Sequence, residues 1–516
     1  MRTPVSGATT ARGTTNDHGR GRNANPASPA PPAPLGTDRR KWLILAVIAI
    51  ASLMVILDAT VVNIALPSAQ KALHFTNSER EWIITAYTLA FGSLLLLGGK
   101  LGDLVGRRRT FLIGLIGFAL ASAVGGAASG FGMLVVARAC QGLFAALLTP
   151  AALSLLTTTF PEKKDRGKAF GVYGAIVASG GAIGLLLGGV LTEYLSWRWC
   201  LYINLIFAAI GVTGGLLLLR PQRSTGRPKL DLPGTVSVCA ALFCLVYAFS
   251  NAATHGWHAP STWGFLAAGV VLLGVFAALE ARVASPLLPP RIVLDRNRAG
   301  SYLGVFLAMA AVSGAFLFLT YYLQVTLGYS AVRTGLAYLP MLVAAVVSGA
   351  LSNIVLLART GPKPLVVCGM LVAAAGTAWL TRIGVHSGYV SALLGPLLVT
   401  GLGIGFVLSP SMNTATFRVP AADAGVASAM AQTQQQIGTS IGTALLNTLA
   451  VSATAHYLTT NSSAGTPAGG LASSALTNLA LVHGYSMAFW CAAGIFVAGA
   501  VACGALLRNG RLAGEA

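Results

Sequence analysis

Fourteen apolar runs follow one another along the chain, at about 42–66, 82–102, 110–129, 132–157, 168–191, 198–219, 233–253, 262–283, 300–323, 335–357, 365–383, 390–412, 424–451 and 484–507. About 20 apolar residues in helical form cross the ~30 Å hydrocarbon layer of a bilayer, and each run meets that length. A backbone facing lipid must satisfy its own hydrogen bonds, so runs this long, rich in Leu, Ala and Gly, form helices rather than barrel strands. The expected fold class is an all-α integral membrane protein. Composition agrees: 55% of the 516 residues are hydrophobic and 9% are charged, against roughly a quarter charged in a soluble domain. An ordinary soluble enzyme is excluded.

The formal net charge of +20 would suggest nucleic acid in a soluble chain, but here its distribution decides the reading. With the first run entered from the cytosol, the basic residues gather on the inner side: the tail arginines with Lys41, Lys100 with Arg107 to Arg109, and Lys163 to Lys168. The clusters around Arg223, Arg291, Arg359, Arg418 and Arg508 follow on the same side. The outer segments hold Lys71, Arg80, Arg198, Arg333 and Arg382. This bias places both termini in the cytosol, facing anionic lipid, and removes the case for a nucleic-acid partner. Residues 1–40, rich in Pro, Ser, Thr, Gly and Asn, read as a disordered polar tail. Arg39 and Arg40 precede an apolar run that continues to Leu66, too long for a cleavable signal. The Ser/Thr/Gly-rich stretch at about 452–483 reads as a long mobile outer loop.

Asp58 is the one acid well inside an apolar run, and Arg138 the one base. A charge at that depth costs about 2.5–3.5 kcal/mol on insertion scales, which makes function the default reading. At 1.5 Å per residue, Asp58 lies roughly 24 Å along its helix, while Arg138 lies roughly 9 Å below the outer surface. The two charges share a depth and are expected to meet, directly or through Gln141. Burial favours the neutral acid and a nearby guanidinium favours the carboxylate, so approach and retreat of Arg138 would switch proton occupancy of Asp58. A proton-coupled carrier needs such a switch.

With these residues identified, the chain resembles the major facilitator superfamily, and within it the fourteen-span drug:proton antiporter branch of exporters similar to EmrB and QacA. Leu57-Asp58-Ala59-Thr60-Val61-Val62-Asn63-Ile64-Ala65-Leu66-Pro67 is similar to the branch's first-helix signature. The loop from Gly99 to Arg109 is similar to the cytoplasmic signature between helices two and three, with Leu104 where a basic residue is usual. Arg138-Ala139-Cys140-Gln141-Gly142 is similar to the fourth-helix signature. The resemblance covers residues 40–507. It implies proton coupling through Asp58 and Arg138, a monomer in the bacterial plasma membrane, and a chain divided into a tail at 1–40, a six-helix bundle at 41–220, an inserted two-helix hairpin with basic loops at 221–298, a second bundle at 299–508 and a short tail at 509–516.

Other motifs suggest roles on physical grounds. Arg107 and Arg108 follow the carboxyl end of the second span, where the helix dipole favours cations, and Asp103 stands close enough to pair with one of them. With Gly99, Gly102 and Gly106 they form a candidate conformational latch. Gly180, Gly184 and Gly188 recur every fourth residue, with Gly189 beside them, allowing close helix approach in lipid. Their spacing resembles the exporters' antiporter motif, with Leu185 in place of the usual proline. Gln432, Gln436, Thr439, Thr443 and Asn447 lie on one face of the thirteenth span and, with Asn63, Gln141, Tyr321 and Gln324, are candidate substrate-lining residues.

The expected function is secondary active export of amphipathic, drug-like or antibiotic compounds, driven by proton entry and needing no cofactor. Uptake or facilitated passage of a small metabolite is the alternative within the same fold. No Walker A motif occurs among the 61 glycines, so ATP is not implied. The seven histidines (His18, His74, His255, His258, His386, His456, His483) lie in the tail or near span ends, and the seven cysteines show no C-x-x-C spacing, so neither a metal site nor a membrane enzyme is indicated. One buried acid implies substrates that are neutral, anionic or singly charged.

Overall fold

The computed structural model describes residues 36–77, 79–160, 162–219, 231–283, 293–417, 419, 424–462 and 470–510. The amino-terminal tail before Gly36, the basic stretches 220–230 and 284–292, Arg418 and the last six residues lie outside them. Among the described residues there are fourteen long helices: α1 Gly36–Leu73, α2 Glu81–Val105, α3 Arg107–Gly126, α4 Phe131–Thr159, α5 Lys163–Tyr194, α6 Trp199–Leu218 and α7 Leu232–His255. The second seven are α8 Pro260–Arg282, α9 Arg296–Tyr321, α10 Ala331–Leu351, α11 Pro362–Leu380, α12 Gly395–Thr416, α13 Ala424–Ser462 and α14 Gly470–Leu506. Single π-helical turns extend α9 and α10 and open α12, local irregularities of a kind that clusters at functional sites.

Twelve of these helices are long and apolar enough to cross a membrane. The other two, α5 and α13, are no shorter. α13 carries the polar stripe, which lowers its mean hydropathy. Short connections make consecutive helices antiparallel. We call the side on which α1 starts and α14 ends the near face, and the opposite side the far face.

The loop expected at about 452–483 is largely helical. The chain remains in α13 to Ser462 and re-enters helix at Gly470, and the rings of Tyr457 and His483 pack 4.9 Å apart across this helical pair. Tertiary contact here overrides a loop-like composition.

Helices α1 to α6 pack as one group and α9 to α14 as another. Small residues set the closest approaches, as expected where lipid offers no hydrophobic force between helices. A Cβ on Gly442 of α13 would run into the backbone of Ala310 on α9, and one on Gly142 of α4 into the Tyr87 carbonyl of α2. Helices α7 and α8 pair with each other, and α7 lies against both α2 and α13, where Leu242 and Val246 join Leu89, Ile437 and Ala444 in one buried cluster.

The buried core is asymmetric between the faces. One cluster runs without interruption from the far halves of α1, α2 and α5 (Val61, Ile83, Leu185) into α9 to α14. The near half of the first group has its own separate cluster around Ile48, Phe111 and Leu156. The two groups are joined at the far face.

Candidate functional site

Asp58 and Arg138 meet inside the first group. The Arg138 Nη1 donates to Asp58 Oδ2 at 2.5 Å, and the two residues are 2% and 1% exposed. The other carboxylate oxygen, Oδ1, accepts from Gln141 Nε2 at 3.0 Å and from Asn204 Nδ2 at 2.7 Å. Gln141 also accepts from Arg138 Nη1 at 2.8 Å, so it touches both charges, as its spacing on α4 suggested. Ser122 on α3 anchors the two amides, accepting from Gln141 Nε2 at 2.7 Å and from Asn204 Nδ2 at 3.3 Å. The guanidinium is further held by the Ile83 carbonyl, to which Nε donates at 3.1 Å, and by the Tyr87 ring 4.4 Å below it.

Four helices therefore hold one carboxylate and its guanidinium, while α3 anchors the amides through Ser122. A buried ion pair is tolerable when the remaining hydrogen-bonding positions are filled, and here three donors satisfy the carboxylate. Asn204, Ser122 and Tyr87 were not picked out from the sequence. Asn204 was visible there as the sole amide in the apolar helix Trp199–Leu218, but attention to charge alone passes over it.

Beside this network, between the two helix groups, lies a cavity of about 410 Å³. Val55, Phe91, Met309, Val312, Phe316, Leu342, Ile404 and Leu408 form its apolar walls, and Thr60, Asn63, Thr88, Ser313, Gln435, Gln436 and Thr439 supply uncharged hydrogen-bonding groups. Arg138 lines this cavity and Asp58 does not. Arg138 thus touches both the acid and the space where a ligand fits. Of the residues proposed as lining, Asn63, Gln436 and Thr439 do so, Gln435 joins them, and Gln432, Thr443 and Asn447 are not in the wall. Gln141 sits in the ionic network, and Tyr321 and Gln324 lie at the far-face seam.

That seam is dense. Tyr321 Oη donates to Gln70 Oε1 at 2.5 Å, Gln324 Nε2 to the Ile64 carbonyl at 3.0 Å, and the Val332 amide to Glu193 Oε2 at 3.0 Å. Of the glycine series, Gly180, Gly184 and Gly188 face Ile56, Thr60 and Val61 of α1, whereas Gly189 meets the backbone of Ala331 and Val332 on α10. Leu185 is buried, and its carbonyl meets Gly335.

Two expectations are corrected here. Asp58 is not the lone buried acid: Glu81, Asp231 and Glu280 are also buried, and Arg80, placed by the sequence in an outer segment, is 3% exposed. All four stand near the ends of apolar runs, where sequence alone reads solvent, and packing from other helices covers them. Asp231 caps α7, accepting from the Gly234 amide at 2.9 Å.

At the near face, Gly106 joins α2 to α3 with φ of 97°, a conformation that favours glycine. Arg108 Nη2 donates to the Leu216 carbonyl at the end of α6 at 3.1 Å, within its own group, and Arg107 opens α3 beside it. Gly99 faces Pro150, and Gly102 has open space where a side chain would stand. The side chain of Asp103 lies outside the described residues.

Comparison with known proteins brings these features together. Residues 48–443 match the family described as Major Facilitator Superfamily. The chain is 50% identical to the puromycin resistance protein pur8 of Streptomyces alboniger, over 90% of this chain and 91% of that protein. It is 38% identical to the cephamycin export protein CmcT of Amycolatopsis lactamdurans, over 78% and 84%. Among solved structures, a bacterial homologue of the human lysosomal transporter Spinster, crystallised inward-facing and unoccupied, superposes with a TM-score of 0.63 at 17% identity, covering 91% of this chain and 97% of that one.

Proposed function

The chain belongs to the major facilitator superfamily, and on that premise we propose that it is a proton-coupled exporter of amphipathic antibiotic or drug-like compounds across the bacterial plasma membrane. One observation carries the reading: a buried acid, Asp58, is paired with Arg138, and that same arginine lines a drug-sized cavity that Asp58 does not line. A proton arriving on Asp58 removes the charge that holds the guanidinium, and Arg138 is then free to rearrange at the cavity wall. A ligand displacing Arg138 changes the environment of the acid in turn. Binding and protonation become linked because they act on one side chain. The uncharged polar groups on an apolar wall suit compounds with several donors and acceptors and little charge.

In this reading all fourteen helices cross the bilayer. Residues 41–220 and 299–508 are the two bundles, 221–298 is the inserted hairpin, and both termini face the cytosol, which makes the near face cytosolic. The latch around Gly102, Asp103 and Arg107 closes the near face in the opposite state. The protein works as a monomer in lipid, with the proton gradient as its energy source. Puromycin is the first compound to test, because the relative at 50% identity carries its name.

The test is accumulation of puromycin and related compounds in cells expressing the unaltered chain or Asp58→Asn, with and without an uncoupler. Export should lower accumulation, and both the uncoupler and Asp58→Asn should abolish the effect. Efflux by Asp58→Asn at the unaltered rate would exclude Asp58 as the coupling group.

A further inference from the structure

The start of α2 holds two adjacent charges that the Asp58 network does not use, Arg80 just before the helix and Glu81 in its first turn. Arg80 and Glu81 are 3% and 0% exposed, and both are buried against the other helix group. Arg80 Nε donates to Oδ1 of Asn447 on α13 at 3.2 Å, and the amide nitrogen of Asn447 donates to Glu81 Oε2. The guanidinium lies over the Tyr321 ring at 4.2 Å and the Phe318 ring at 5.1 Å, both on α9. One amide therefore bridges a cation and an anion across the seam between the two groups, at the far face.

A permanent seam closes better with apolar side chains, because each buried charge carries a desolvation penalty of several kcal/mol. A seam that parts and re-forms has the opposite need, since its groups must tolerate water when separated. Charged and amide side chains meet that need. The same stretch of α2 also touches the coupling site: the Ile83 carbonyl accepts from Arg138 Nε, and the Tyr87 ring faces its guanidinium. Glu81 and Ile83 are two residues apart on a rigid helix.

We propose that Arg80, Glu81 and Asn447 form the lock that holds the far face shut, and that the first two turns of α2 tie the state of this lock to the Asp58–Arg138 pair. Parting of the lock removes the contacts that fix the start of α2 against α13 and lets that turn, with the Ile83 carbonyl, shift within its own helix group. Arg138 then loses one of its anchors as the far side opens, which releases its grip on Asp58 at the moment when protons from that side can arrive. The inference rests on the alternating exposure assumed in the proposed function, with the far face outside.

The experiment places a cysteine in the cavity wall, Ser313→Cys in the full-length chain, and measures its labelling by a membrane-impermeant maleimide in right-side-out and inverted vesicles. Labelling of the chain without the added cysteine is subtracted as background. Glu81→Gln and Asn447→Leu should each raise labelling from the far face at least fivefold. If either fails to reach the membrane, Arg80→Lys, which retains the charge but loses the Nε donation, is measured instead and should raise labelling likewise. Far-face labelling unchanged from the parent in the variants that do reach the membrane would overturn the lock. The readout needs no drug and no gradient, so failure of the lock leaves the export reading standing, and failure of export leaves the lock measurable.

Discussion

Asn204 donates to the oxygen of Asp58 that Arg138 does not bond: Nδ2 stands 2.7 Å from Oδ1, while the Arg138 Nη1 stands 2.5 Å from Oδ2. The acid is thus gripped from both sides, by a charge on α4 and by an amide on α6. Asn204 and Gln141 hold Oδ1, while Arg138 holds Oδ2.

Asn204 is consequently expected to act as a positioning residue. Asn204→Leu removes a donor to a buried carboxylate, a loss worth about 1.5–3 kcal/mol for a bond to a charged group. Proton-driven efflux in inverted vesicles should fall by at least tenfold, whereas Ser122→Ala, which reaches Asp58 only through the two amides, should cost less. Equal rates for Asn204→Leu and the unaltered chain, at equal expression, would remove this role.

The glycines of α5 separate into those that touch another helix and those that do not. A Cβ at Gly188 would lie 2.9 Å from the Cα of Val61, while nothing stands within 4 Å at Gly181. Gly188→Ala should therefore destabilise the detergent-solubilised protein by about 1–3 kcal/mol through overpacking. Gly181→Ala should be neutral or stabilising by up to about 1 kcal/mol, the helix propensity difference. Thermal unfolding of the two variants side by side reads the contrast directly.

Gly106 occupies φ of 97° between α2 and α3. Any side chain there is strained, so Gly106→Ala should cost about 1–2 kcal/mol. Thermal stability should drop, and export should drop with it if the turn positions the near-face latch. A variant as stable as the parent would mean that the turn relaxes without strain.

Among the described residues lining the cavity, Arg138 is the sole charged one. A dicationic drug finds no carboxylate in that wall and should be exported at less than a tenth of the rate of a neutral analogue. Ser313→Asp, which adds an acid to the wall, should improve export of the dication relative to the neutral compound. Efflux assays with a matched pair of drugs decide it, and equal rates in the unaltered protein would contradict the cavity's charge logic.

Much of this was readable from residue order. The apolar runs located every helix, and the lone charges Asp58 and Arg138 identified the pair at the centre of the site, because a charge inside an apolar run is conspicuous whatever surrounds it. Asn204 escaped notice since an uncharged amide in a helix raises no such flag. Arg80 read as part of an outer segment because it precedes a run, Glu81 beside it drew no notice, and the stretch after residue 452 looked like a loop because Ser, Thr and Gly dominate it. In each place a helix distant in sequence supplies cover that residue order does not show: α9 and α13 for Arg80 and Glu81, and α14 for the end of α13.

By itself the sequence determined that the chain is a helical membrane protein, where its helices run and which two charges must find each other, since apolar length and isolated charge are local properties that lipid tests residue by residue. Only the tertiary structure decided that Arg138 lines the cavity while Asp58 does not, that Asn447 joins the seam instead of the cavity wall, and that the two groups of helices close at the far face. Those outcomes depend on which helix faces meet, and a helix carries no record of its neighbours in its own periodicity.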